Sequence, residues 1–155
     1  MSSLPEGYSI RRLKATDFAR GVLNTLTALT TVGDVSQLQF ENVVAKWDAL
    51  TLMNGSYIYN PVVIINEKDE VVATGMLFIE EKLIHNAGTV GHIEDIAVRK
   101  DQQGKSLGKL LIKKLLEIGD KAGVYKIILD CDPKNVGFYE KCGLNEAGVE
   151  MQIRF

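Results

Sequence analysis

The sequence predicts an α/β (α+β) fold, a mixed layer domain with helices packed on a central sheet. Three observations carry this. Residues 61–65, 71–81 and 89–98 are successive β-branched, apolar segments, and the polar run Glu67-Lys68-Asp69-Glu70 reads as the hairpin loop joining the first two. Residues 108–122 set Leu110, Leu111, Leu115 and Ile118 at helical spacing. Strand texture then returns at 126–131. The 155 residues suit a single domain spanning 1–155 with one well-buried core.

The remaining elements follow in order. Residues 8–11 form a short strand. Thr16-Asp17 reads as a helix start, followed by Phe18, Val22, Leu26 and Leu29, and Gly33 stops that helix. Ser36 caps a second helix carrying Leu38, Val43, Val44, Trp47 and Leu50 inward, and Asn54-Gly55 is a turn. Residues 136–141 are a short helix that Gly143 ends. Val149, Met151, Ile153 and Phe155 alternate with polar residues, so a last strand is expected at 149–155. The predicted order is β-α-α-β-β-β-α-β-α-β.

Bulk properties exclude several function classes. A formal charge of -2 argues against nucleic acid or an anionic membrane as the main partner. No apolar run approaches the ~20 residues that span a bilayer. The polar start, with Pro5, shows no export signal, so a cytoplasmic location with Cys131 and Cys142 as free thiols is expected. His85 and His92 have no metal-ligand company in sequence, and His92 reads as a structural strand residue, so no metal site is expected.

The stretch after the third long strand carries the first chemical signal. Ile96, Ala97 and Val98 run into Gln103, Gly104, Lys105, Ser106, Leu107 and Gly108, and then into the helix. A strand, a glycine-bearing loop and a helix start make an anion site, because unpaired N–H groups and the helix dipole both face outward there. Arg99, Lys100, Lys105, Lys109, Lys113 and Lys114 face only Asp101 among acids between positions 99 and 114. A pyrophosphate-bearing cofactor suits this region.

Gln103-x-x-x-x-Gly108 resembles the acetyl-CoA loop of the GNAT acetyltransferase superfamily, with Ser106 where the first glycine of that pattern stands. Thr30-Thr31-Val32-Gly33, Lys82-Leu83-Ile84-His85, Gly91-His92-Ile93-Glu94-Asp95-Ile96-Ala97-Val98, Leu129-Asp130-Cys131, Asn135-Val136-Gly137-Phe138-Tyr139 and Glu150-Met151-Gln152-Ile153-Arg154 resemble the eukaryotic, fungal-type glucosamine-6-phosphate N-acetyltransferases along nearly the whole chain. That resemblance implies a GNAT fold: a mixed, mostly antiparallel sheet, helices on both faces, and a splay between two central strands. It implies acetyl-CoA as co-substrate, no metal, and N-acetylglucosamine 6-phosphate as product, on the route to UDP-N-acetylglucosamine.

The resemblance also assigns residues. Glu94 helps remove a proton, Asp130 orients the amine, and Tyr139 donates to the departing sulfur. The backbone of Ile96, Ala97 and Val98 pairs with the pantetheine arm, Gln103 to Gly108 hold pyrophosphate, and Asn135, Phe138 and Tyr139 flank the arm. Thr30, Lys82, Leu83, Ile84, His85, Glu94, Asp95, Lys126, Asp130 and Arg154 form the sugar-phosphate site, with Lys82, His85, Lys126 and Arg154 as its basic clamp. Arg154 lies on a last strand that reaches a partner subunit, which implies a homodimer with shared sites. Adjacent strand residues point to opposite faces, so only one of Glu94 and Asp95 is expected to face a given pocket. Cys142 makes an acyl-cysteine route conceivable, ranked below direct transfer. Two rival readings are an acetyltransferase of protein N-termini or another small amine, and a non-catalytic acyl-CoA-binding module.

Overall fold

A computed structural model describes residues 2–155 of the chain. Five strands form one sheet in the order β1-β2-β3-β4-β5. They are β1 (Ser9–Arg12), β2 (Tyr59–Ile65), β3 (Val71–Glu81), β4 (Thr89–Val98) and β5 (Lys126–Ile128). The first four pair antiparallel in sequence order; short connections join β2 to β3 and β3 to β4, whereas residues 13–58, with two helices, lie between β1 and β2. β4 and β5 are parallel, so a crossover must join them, and the long helix α3 (Leu107–Ala122) supplies it.

Helices cover both faces of the sheet. On one face α3 buries Leu107, Leu111, Ile112 and Leu115 against Val62, Ile64, Leu77, Ile79 and Ile93. On the other, α1 (Val22–Leu26) and α2 (Gln37–Ala49) set Val22, Phe40 and Val44 against Val63, Ile65 and Val71. β2 is sandwiched between these cores, which is why its apolar run shows no alternation. α4 (Val136–Lys141) follows β5.

The expected first helix is broken in two. Asp17 lies within a short 3-10 turn, Ala15–Phe18, and Gly21 takes φ 82° before α1 begins. Asp17 is fully buried; its carboxylate accepts two hydrogen bonds of 2.8 Å from Arg11 and one from the Lys14 N–H. That local demand overrides the helical spacing of Phe18 and Val22. α2 begins as expected, with Ser36 and Gln39 capping each other reciprocally. Its inward face is narrower than read: Phe40 and Val44 are buried, whereas Leu38, Val43 and Leu50 are exposed.

Residues 145–155 form no strand, correcting the expected final element. Val149, Met151, Ile153 and Phe155 all lie exposed. An isolated alternating segment has no ladder to join, and its backbone groups are left to water. The run after β3 holds another departure: His85, Asn86 and Ala87 take φ of 51°, 58° and 56°, a left-handed turn of non-glycine residues.

Candidate active site

The site is built by what β4 and β5 fail to do. Their pairing is confined to Val90↔Lys126, Gly91↔Ile127 and His92↔Ile128. β4 continues to Val98, still paired with β3, while β5 turns away. The divergence leaves a cavity of ≈ 1330 Å³ whose walls include His92 and Glu94 from β4, Lys126 and Asp130 from the β5 segment, and Tyr139 from α4. The paired end is closed by close packing: Ile127 lies against Gly91 and Gly119, where a Cβ would meet its side chain at 3.0 and 2.6 Å.

A β-bulge re-aims the acidic pair. Met76 partners Glu94 but Thr74 partners Ala97, so β4 carries one residue more than β3 opposite Gly75. Asp95 adopts φ 54° to make the bulge. Strict alternation therefore ends at Glu94: Glu94 and Asp95 are both exposed, and Ile96 folds over Gly75, where a Cβ would lie 2.5 Å from its Cδ1. The apolar neighbours Ile93, Ile96 and Val98 bury neither acid.

Three groups in the cavity have shifted acidities. Although its side chain is solvent-accessible, partial desolvation at the cavity wall raises the Glu94 pKa, as do the negative charges of Asp130, Asp95 and Glu150; His92 acts the other way. Burial raises the Tyr139 phenol, aided by Cys131, Cys142 and Asp130, so it stays protonated. Burial also raises both thiols, with Asp130 adding to the rise at Cys131. A carboxylate whose affinity for a proton is raised and a phenol that keeps its own thus share a cavity.

The loop preceding α3 lies outside this cavity, at the other end of the same β4 segment. Gln103 donates to the Val98 carbonyl at 3.3 Å, tying loop to strand. Gly104 sits at φ 85° and Ser106 at φ 61°, both left-handed, and the Ser106 side chain does not cap the helix. Leu107 is buried and anchors the turn. The helix N-terminus is thereby presented without a side-chain cap, as an anion site requires. Gly108 brings Val98 and the exposed Phe138 together: its Cβ would lie 3.4 Å from Phe138 and 3.7 Å from Val98. Phe138 meets Tyr139 edge-on at 5.0 Å, and the exposed Asn135 precedes them at the start of α4. Lys105, by contrast, is drawn back onto Tyr8 (3.1 Å) and Gln102 (3.0 Å).

Of the expected sugar-phosphate residues, Glu94, Lys126 and Asp130 line the cavity; Thr30, Lys82, Leu83, Ile84, His85, Asp95 and Arg154 do not. Lys82 pairs with Glu80 at 3.1 Å, and His85 packs on Tyr125 with ring centroids 4.3 Å apart. Thr30, Leu83, Ile84 and Arg154 are exposed. One chain alone does not assemble the basic clamp. His92, read from sequence as a structural strand residue, lies on β4 as expected and also lines the cavity, because pairing with β5 ends at that residue; no local motif signals this.

The sheet, its splayed parallel pair and the uncapped helix after the glycine-bearing loop define an acyltransferase architecture. A sequence model of the acetyltransferase (GNAT) family matches residues 29–144, and the chain belongs to that family of acetyl-CoA-dependent N-acetyltransferases. Within it, the chain is 52% identical to the glucosamine 6-phosphate N-acetyltransferase of Candida albicans, over 98% of this chain and 99% of that one. It is 39% identical to glucosamine 6-phosphate N-acetyltransferase 1 of Dictyostelium discoideum, over 99% and 95%. The crystal structure of glucosamine-6-phosphate N-acetyltransferase from Arabidopsis thaliana superposes with a TM-score of 0.90 at 34% identity, covering 97% of this chain and 99% of that chain.

Proposed function

We propose that this chain, as one domain, transfers the acetyl group of acetyl-CoA to the 2-amino group of glucosamine 6-phosphate. The products are N-acetylglucosamine 6-phosphate, a precursor for UDP-N-acetylglucosamine, and CoA. The observation that carries the reading is the meeting of Glu94, Asp130 and Tyr139 in the cavity where β4 and β5 part. The near full-length identity to enzymes named for this substrate supports it over other amines.

In this reading acetyl-CoA lies along the free edge of β4. The backbone of Ile96, Ala97 and Val98, released from β5, pairs with its amides, and the left-handed turn of Gly104 and Ser106 aims N–H groups at the pyrophosphate. Phe138 and Asn135 flank the arm. The amine nitrogen forms its bond to the thioester carbonyl carbon and the C–S bond breaks. Glu94 receives the proton the nitrogen sheds, through water, and Asp130 orients the amine. Tyr139 gives its proton to the departing sulfur and is reprotonated by one of the two protons that the incoming ammonium loses in all. Direct transfer is favoured over an acyl-cysteine because burial keeps both thiols protonated, and the thiolate is the nucleophile.

The phosphate clamp is completed by a second copy of the chain. The exposed alternating segment ending at Phe155 carries Arg154 and lacks a sheet to join, while β5 is an edge strand. Lys82, His85 and Thr30 stand outside their own cavity and would meet the phosphate only when the assembly is complete.

A thiol-release assay against amino sugars with and without the 6-phosphate tests the substrate. Turnover confined to glucosamine 6-phosphate is expected. Equal turnover of phosphate-free amines or of peptide N-termini rejects the reading, and CoA binding without any turnover marks a non-catalytic module.

A further inference from the structure

The amine reaches an enzyme mostly as an ammonium ion, so each cycle releases one proton overall: ammonium plus thioester gives amide, thiol and H⁺. Of the two protons the nitrogen loses, one restores Tyr139; once both substrates fill the cavity, the other, collected by Glu94, needs a way out. His92 stands two residues back on β4 and lines the same cavity. Its Nε2 is 3.0 Å from Glu80 Oε1, and Lys82 Nζ is 3.1 Å from the same oxygen. Phe78 packs beside the imidazole with ring centroids 5.8 Å apart, fixing its plane. A carboxylate on Nε2 sets imidazole orientation and leaves Nδ1 without a protein hydrogen-bond partner among the described residues. The Glu80 side chain is 39% exposed, so the pair connects the cavity wall to bulk water.

We propose that His92, oriented by Glu80, is the outlet through which the proton collected by Glu94 leaves the site. His92 takes the proton on Nδ1 and gives one up to solvent on the Glu80 side; no bond other than N–H and O–H changes. Glu80 is a positioning residue in this scheme. The charged neighbours that bear on His92 are Glu80 and Lys82 at the end of β3, Glu94 on β4, and Lys126 and Asp130 across the cavity. The inference rests on Glu94 as the proton acceptor.

The test is steady-state turnover of glucosamine 6-phosphate by wild type, His92→Gln, Glu80→Gln and Glu94→Gln, each checked by thermal melting. His92→Gln is expected to lower kcat about tenfold, with the substrate KM within about twofold, because a lost proton transfer falls on turnover rather than on binding. Free imidazole added to the assay should restore kcat of that variant and leave wild type unchanged. Glu80→Gln keeps the hydrogen bond and loses the charge, so it should lower kcat by a smaller factor. An unchanged kcat in His92→Gln, a loss falling on KM, or a loss that imidazole does not relieve overturns the proposal. Should His92→Gln melt out, an unchanged kcat in Glu80→Gln does the same. An active Glu94→Gln instead strikes the base assignment, and an inactive wild type strikes the substrate; neither resembles a failure at His92.

Discussion

Ser106 shows what one residue contributes. It stands at φ 61° where a glycine would sit without steric penalty, and it opens α3 without capping it. A left-handed non-glycine residue is strained by roughly 1–2 kcal/mol, while glycine in its place loses more entropy on folding. Ser106→Gly should therefore raise thermal stability by up to about 1 kcal/mol and leave CoA affinity near wild type, measured by melting and by titration. A fall in stability would show that the hydroxyl makes a contact that matters. Glu94 is the second case. Its pKa is raised by partial desolvation and then by Asp130, so the base form disappears as pH falls through a value above that of a free glutamate. The acid limb of kcat/KM should lie correspondingly high, and Asp130→Asn should move it to lower pH even as it lowers the rate. A limb that stays put, or moves up, contradicts the charge coupling. Glu94, Asp130 and Tyr139 were all legible in the sequence as motif positions. The aim of Glu94 was not, because the bulge at Asp95 depends on the register between β3 and β4, which no local pattern reports.

Among the elements, the short β4–β5 contact does most to shape the site. Two glycines let it form: Gly91 on β4 and Gly119 on α3 both make room for Ile127. A methyl group at 119 would lie 2.6 Å from Ile127 Cδ1 and 3.3 Å from its Cγ1 and from Leu77. The terminal methyl can swing aside, so Gly119→Ala should destabilise by about 1–2 kcal/mol rather than unfold the chain. Because Ile127 is three residues before Asp130, its displacement should also lower kcat; a full rate with normal stability would show the contact to be slack. Helix α3 was read from sequence almost to its limits because its apolar face is broad and regular. β2, β3 and β4 were likewise clear from their β-branched runs. The first helix was misread because the buried demand of Asp17 for Arg11 overrode the spacing. The left-handed turn at His85 to Ala87 carries no glycine to announce it.

At the scale of the whole molecule, the sheet is complete on its own, whereas the proposed phosphate clamp is not gathered within one chain. Lys126 lines the cavity, yet Lys82, His85 and Arg154 do not, and the residues carrying Arg154 stay exposed with four apolar side chains in water. The alternation at 149–155 forms no strand within this chain, and in the proposed dimer the edge it pairs with would belong to another copy. A shared site makes a sharp prediction, because defects on opposite subunits then complement. Arg154→Ala should raise the KM for glucosamine 6-phosphate, and Glu94→Gln should remove turnover. When the two variants are unfolded together and refolded, hybrids carry one site with both residues intact. At random pairing, half the dimers are hybrids with one of two sites whole, so about a quarter of wild-type activity should return at a wild-type KM. If each chain instead completes its own site, every site in the mixture keeps one defect, and the mixture shows only the sum of the two separate variants.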